Sequence, residues 1–190
     1  IVGAKRTPMG GLDGELGTMS AVDLGIVAVR AAVAQSSVAS EDVVEVVFGN
    51  VLSAGQGQAP ARQIALGAGL PKNAAATTVN RMCGSGMKSA MMAHDALCAG
   101  SIDIGIVGGT ESMSNAPYLL PRARQGLRMG HADLKDHMFF DGLEDAYQAG
   151  TLMGTFAERC ASEFQFTREA QDEYALSSLE IAKRRVGKEW

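Results

Sequence analysis

The sequence predicts an α/β fold built on a parallel or mixed sheet. Three observations carry that expectation. Strand-like and helix-like segments alternate from Ser20 to Val107. The strand segments Val43–Leu52 and Ala76–Val79 are apolar and β-branched, as buried strands are. Hydrophobic residues make up 46% of 190 residues, enough for a packed core.

Each element has its own local signal. Ile1–Lys5 reads as a short strand running into the turn Arg6-Thr7-Pro8-Met9-Gly10-Gly11. Ser20 and Asp23 form a capping box that opens a helix to about Ala34, with Leu24, Val27, Ala28 and Ala31 at helical spacing. Val43–Leu52 is the next strand. Pro60 suits the first position of a helix over 61–66, with Gly67 just past its end. Strand 75–79, a turn around Cys83, a helix over 87–99 ended by Gly100, and strand 102–107 make one βαβ unit. That helix is apolar nearly all round, through Met87, Ala90, Met91, Met92, Ala93, Ala96, Leu97 and Ala99. It is therefore expected to be buried on most sides, shielding the thiol end from water.

From Ser114 the character changes. Residues 115–151 are rich in Pro, Gly, Arg and Met and lack periodicity, an excursion of the length that often carries function. Thr167 then caps a helix with Glu169, Asp172 and Glu173 near its start. Lys183, Arg184 and Arg185 lie near its end, with Gly187 beyond.

Composition excludes several classes. The net charge is −4 and no basic stripe exists, so nucleic acid is not an expected partner. No apolar run is long enough to span a membrane, and no signal peptide is visible. Three widely spaced cysteines argue for a reducing, cytoplasmic setting. No Cys/His cluster has metal-ligand spacing. Ile1-Val2-Gly3-Ala4 reads as the middle of a strand, and the C-terminal helix has no closing strand. Part of a longer polypeptide is therefore expected.

Cys83 is the candidate nucleophile. It follows a strand and precedes Gly84, Gly86 and a helix, so it sits at a strand-to-helix turn. Helix N-termini present free N–H groups and the positive end of the dipole, which favour a thiolate and stabilise an oxyanion. The setting resembles a nucleophile elbow built around cysteine. Cys98, within an apolar helix, and Cys160, on a Phe156/Cys160/Phe164 stripe, are expected to be structural. Gly108-Gly109 lacks the partners of a phosphate loop, so close backbone packing is expected there. Arg122, Arg124 and Arg128 fit either a solvated loop or the phosphates of an anionic ligand or a neighbouring subunit. His94 lies about three helical turns from Cys83, too far to act as its base.

Asn80-Arg81-Met82-Cys83-Gly84-Ser85-Gly86-Met87-Lys88 resembles the acyl-enzyme cysteine signature of the thiolases, the acetyl-CoA acetyltransferases. Other segments resemble that family in the same order. They are Arg6-Thr7-Pro8-Met9-Gly10, Gly49-Asn50-Val51-Leu52, Gly57-Gln58-Ala59-Pro60-Ala61-Arg62-Gln63, Gly108-Gly109-Thr110-Glu111-Ser112-Met113-Ser114, Asp141-Gly142-Leu143, Met153-Gly154 and Gln171-Asp172.

The resemblance implies a layered αβαβα fold of two similar halves, of which this chain is the N-terminal one. Residues 1–114 would form the α/β half-domain and 115–190 the beginning of a loop domain over the active site. It implies acetyl transfer between acetyl-CoA and acetoacetyl-CoA through an acetyl group on Cys83, with Leu143 and Met153 binding substrate. Coenzyme A thioester is then a substrate, and no metal or redox cofactor is needed. A homodimer or homotetramer meeting through residues 115–140 is expected. The family's second cysteine, histidine and asparagine belong to its second half. His94, His131 and His137 sit in no matching context, so these 190 residues alone are expected to be inactive. The family usually has histidine where Leu152 stands. A ketoacyl-synthase-like condensing enzyme, a broader 3-ketoacyl-CoA thiolase and a catalytically silent thiolase-like fragment are the alternatives.

Overall fold

The structure, a computed structural model, describes residues 1–185, so the expected stop at Gly187 lies outside the described residues. The chain divides into two compact units, Ile1–Gly142 and a second beginning at Leu143. The change of character at Ser114 falls inside the first unit.

The first unit is built on a parallel three-stranded sheet. Its strands are β1 (Glu45–Gly49), β2 (Ala75–Val79) and β3 (Gly105–Gly109), in the order β2-β1-β3. Glu45 lies opposite Ala75 on one side and Gly105 on the other. Three helices accompany it: α1 (Ala21–Ser36), α2 (Pro60–Gly67) and α3 (Ser85–Cys98). The period of two along each strand sorts them into layers. Val46, Phe48 and Ile106 face a core with Val29 of α1 and Ala61, Ile64 and Ala65 of α2. Gly49 and Gly109 face the other way, against Ser85 and Gly86 of α3. The chain passes from β1 through α2 to β2, then through α3 on the opposite face to β3, a doubly wound arrangement about β1.

Helix α1 begins as expected. Ser20 Oγ accepts from Asp23 N–H at 3.1 Å, and Asp23 returns a bond to the Ser20 backbone. Ser20→Ala is expected to lower stability by about 1 kcal/mol. It should appear as a lower urea midpoint at unchanged slope. Pro60 opens α2 as expected. The strand expected over 43–52 is shorter at both ends, 75–79 forms as expected, and the strand expected over 102–107 lies at 105–109, because parallel pairing extends only where all three overlap.

Three expectations are corrected. No strand forms over Ile1–Lys5; residues 1–11 have no regular structure. A strand needs a neighbour to complete its ladder, and this segment instead bonds α1, Ala4 N–H donating to Gln35 Oε1 at 2.9 Å. An apolar cavity of about 690 Å³ lies between this segment, α1, Phe48 and β3, and no residue of the Cys83 turn lines it. Second, α3 is not buried on most sides among the described residues. Its buried residues are Ser85, Ser89 and Ala93, whereas Met87 is 73% exposed and Met91 and Leu97 about half exposed. The close approach of α3 to the sheet selects small residues for the contact face and leaves the large ones outward. Third, Cys98 and Cys160 are exposed, not buried. Helical spacing defines a stripe but cannot say whether anything covers it.

The rest of the first unit is irregular. A two-residue antiparallel pair, β4 (Tyr118–Leu119) with β5 (Lys135–Asp136), closes its excursion, and a π-helical turn spans Phe139–Leu143. The second unit holds α4 (Met153–Glu163) and α5 (Arg168–Arg185). Thr167 caps α5 as expected, its Oγ1 accepting from Ala170 N–H at 3.2 Å. Phe164 stacks on Phe166 with ring centroids 6.2 Å apart rather than joining a Phe156–Cys160 core. No helix among the described residues is long and apolar enough to cross a membrane.

Candidate active site at the carboxyl edge of the sheet

All three strands end on the same side, and the functional segments leave from there. In doubly wound sheets, the carboxyl edge where the winding reverses is the place for a ligand. Residues 80–84 leave β2, residues 50–56 leave β1, and residues 110–114 leave β3.

The Cys83 turn is tightly constructed. Asn80 Oδ1 accepts from Met82 N–H at 3.0 Å, and Ser85 Oγ accepts from Arg81 N–H at 2.8 Å. Ser85 Oγ also donates to Met82 O at 2.6 Å. Gly84 N–H and Ser85 N–H donate to Arg81 O and Met82 O. Arg81, Met82, Gly84 and Ser85 amides are thus consumed within the turn, and Cys83's N–H is not among them. Met82 has φ +49°, a left-handed conformation unusual for a bulky side chain. Such a residue stores about 1–3 kcal/mol and persists only where its surroundings over-determine it. Cys83 follows it directly, exposed, one residue before the Gly84 N-cap of α3. The elbow geometry expected from the sequence is present. The expected shielding from water is not provided by the described residues. No hydrogen bond joins the Cys83 sulfur to His94, His131 or His137 among them.

Glycines set the position of α3. A Cβ on Gly49 would lie 2.6 Å from the Ser85 backbone carbon, and one on Gly109 would lie 3.2 Å from Gly86 Cα. Ser89 Oγ, fully buried, donates between Gly86 O at 2.7 Å and Gly108 O at 2.9 Å. Gly108-Gly109 is therefore a close-packing pair, as expected. Gly49→Ala is expected to destabilise by about 2–3 kcal/mol, because neither backbone can yield cheaply. A lower thermal midpoint would register it.

The segment after β3 is a brace that the sequence did not reveal as one. Its residues alternate between two neighbours. Thr110 and Ser112 hydroxyls donate to Ala21 O and Met19 O at 2.6 and 2.8 Å, and Ser114 Oγ accepts from Asp13 N–H at 2.9 Å. Glu111 points the other way. Its carboxylate accepts from Asn50 Nδ2 at 2.9 Å, Val51 N–H at 2.9 Å and Leu52 N–H at 3.0 Å. Asn50 is 3% exposed, and its Oδ1 has no partner. Farther along, Gln63 Nε2 donates to Gln56 O and Gln58 O, and Arg62 holds Lys72 O and Ala74 O. The polar residues of these segments act mainly by fixing loops.

The structure places the two substrate-binding candidates in the second unit and beside one another. Glu144 pairs antiparallel with Leu152, which puts Leu143 and Met153 at adjoining positions at the foot of one loop. Asp145 N–H donates to Thr151 O at 2.8 Å within that loop. Leu152 occupies the N-cap of α4, where its side chain offers no cap. Arg122, Arg124 and Arg128 are exposed in the loop between β4 and β5.

Sequence reasoning missed the pairing of His137 with Asp141, although their i, i+4 spacing was a visible signal. Among the described residues no group of three or more His, Cys, Asp or Glu could hold a metal ion.

Comparison with known proteins bears on this site. Residues 1–188 match the family model described as thiolase, N-terminal domain. The chain is 52% identical to acetyl-CoA acetyltransferase 2 of Arabidopsis thaliana over 98% of its own length and 47% of that protein's. It is 46% identical to the acetyl-CoA acetyltransferase of Saccharomyces cerevisiae over 97% of its length and 46% of that protein's. The crystal structure of Acat5 thiolase from Ascaris suum in complex with coenzyme A superposes with a TM-score of 0.92 at 39% identity. It is matched over 97% of this chain and 48% of that one. The chain spans about half the length of the curated relatives it matches.

Proposed function

This chain belongs to the thiolase family, and on that premise we propose that it carries the acyl-accepting half of an acetyl-CoA C-acetyltransferase. The observation that carries the reading is the Cys83 turn: a thiol held behind a strained Met82, one residue before a helix, at the carboxyl edge of a doubly wound sheet.

The Cys83 thiolate attacks the carbonyl carbon of acetyl-CoA. The tetrahedral oxyanion draws on the Cys83 N–H. The carbon–sulfur bond to coenzyme A breaks, and the departing thiolate takes up a proton. The carbanion of a second acetyl-CoA then attacks the acetyl group, releasing acetoacetyl-CoA and regenerating the Cys83 thiolate. Thiolysis is the same sequence reversed. The proton-transferring groups come from the rest of the full-length protein; among the described residues none is bonded to the Cys83 sulfur, so this half alone does not turn over. Leu143 and Met153 line the acyl pocket, and a methionine at 153 suits short acyl groups. Coenzyme A thioester is the substrate, with no metal or redox cofactor. The full-length protein is a cytoplasmic homodimer or homotetramer, with the 115–140 loop at the contact.

Intact mass spectrometry before and after incubation with acetyl-CoA, followed by peptide mapping, tests the reading. An acetyl group on the peptide containing Cys83 in the full-length protein is expected. Acetylation elsewhere, or none, would overturn it. A monomer in sedimentation at micromolar concentration would overturn the oligomer.

A further inference from the structure

The segment that ends the first unit is held by a histidine for which acyl transfer has no direct use. His137 is 5% exposed, and both ring nitrogens are engaged. Nδ1 lies 2.6 Å from Asp141 Oδ2, and Nε2 lies 3.3 Å from Ala54 N. An amide can only donate, so Nε2 accepts and Nδ1 bears the hydrogen that goes to Asp141. The His137 backbone N–H donates to Pro117 O at 3.2 Å. Asp136 Oδ1 accepts from Met138 N–H at 2.8 Å. Gly142 rests against Leu52, which a Cβ would meet at 3.2 Å, and Leu52 is bound by Glu111. The buried ring therefore ties the loop after β1 to the π-helical turn Phe139–Leu143, and the His137 backbone amide adds Pro117, just before β4.

An apolar side chain could fill the same space. A ring with directed bonds at both nitrogens does more, because it sets the path of the backbone on either side. We propose that His137 is a positioning residue for acyl transfer. Through Asp141 and Ala54 it fixes the turn Phe139–Leu143, and so the backbone that bears Leu143. The proposal rests on the reading of Leu143 as a residue of the acyl pocket. His137 itself touches no reacting atom.

The test uses the full-length enzyme. His137→Ala is expected to raise KM for acetoacetyl-CoA about 10-fold, with kcat changed less than about threefold. The rate at which iodoacetamide alkylates Cys83 stays within about twofold of the unaltered enzyme, since that turn has its own hydrogen bonds. Hydrogen exchange at Ala54 and over 137–143 rises whether or not substrate turns over. His137→Asn, whose amide can donate to Asp141 in place of Nδ1, recovers KM to within about threefold. Asp141→Asn alters a half-exposed partner and carries the test if His137→Ala does not fold; it raises KM about three- to fivefold. Combined with His137→Ala, it adds nothing, because both act through one bond.

Unchanged KM in the single variants, unchanged exchange at 137–143, or multiplying effects in the double variant would overturn the proposal. So would a fall in kcat matched by slower Cys83 alkylation, which marks a general structural role. Absence of Cys83 acetylation in the unaltered enzyme is a separate result: it removes the acyl-transfer reading, while the exchange measurement still decides whether His137 holds the turn.

Discussion

Cys83→Ala in the full-length enzyme is expected to lower acyl transfer by about four orders of magnitude or more. Stability should change by less than about 0.5 kcal/mol, because the side chain is exposed and the turn is held by Asn80, Ser85 and the backbone. The two other cysteines are the controls. Cys98 ends α3 with its sulfur 3.7 Å from His94 Nε2, and Cys160 lies on α4 in the second unit. Cys98→Ala and Cys160→Ala should each retain activity. All three thiols are exposed, so accessibility does not single out Cys83; its place on the strained turn does. Steady-state thiolysis with circular dichroism on the same samples is the measurement. Loss of activity in either control at comparable folding would remove Cys83 as sole nucleophile.

Glu111→Ala should produce the largest loss of stability among changes at the carboxyl edge, about 3 kcal/mol. The carboxylate receives three donors, two of them backbone amides that no other group meets. Removing it strands the Val51 and Leu52 amides, while Asn50 Nδ2 keeps its bond to Thr110 O at 3.1 Å; an unmet donor away from water carries most of its desolvation penalty. For a domain of this size the thermal midpoint should fall by roughly 6–12 °C. Glu111→Gln, which keeps one acceptor oxygen but turns an amide toward a donor, should lose about 1–2 kcal/mol. If glutamine were no better than alanine, the bonds to Val51 and Leu52 would not be the source of the stabilisation. The loop after β1 also bears Ala54, so loosening it should raise KM for acetoacetyl-CoA.

Much of the first unit was legible because its signals are local. The Ser20/Asp23 box, Pro60 at a helix start and Gly100 after α3 each specify backbone conformation within a few residues. The family resemblance shares the segments around Pro60 and Cys83. What could not be read was whatever depends on a partner distant in sequence. Glu111 and Asn50 are 61 positions apart, and nothing near either announces the bond. His137 and Asp141 were close enough to pair by spacing, but the second bond to the ring comes from Ala54, 83 positions away. The strand expected over Ile1–Lys5 failed for the same reason: strand residues are a local property, whereas a strand is a pairing.

The amino-acid sequence by itself determined the order of elements from α1 to β3, the family and the candidate nucleophile. Tertiary structure alone decided which face of α3 meets the sheet. Periodicity counted the large apolar side chains, but the close approach of Gly49 and Gly109 chose Ser85, Gly86 and Ser89 for the contact. It also showed that the Glu111 segment is a brace and that His137 ties the turn before Leu143 to the loop after β1. Those roles are set by distances across the fold, and a distance between remote segments has no counterpart in the chemistry of either one alone.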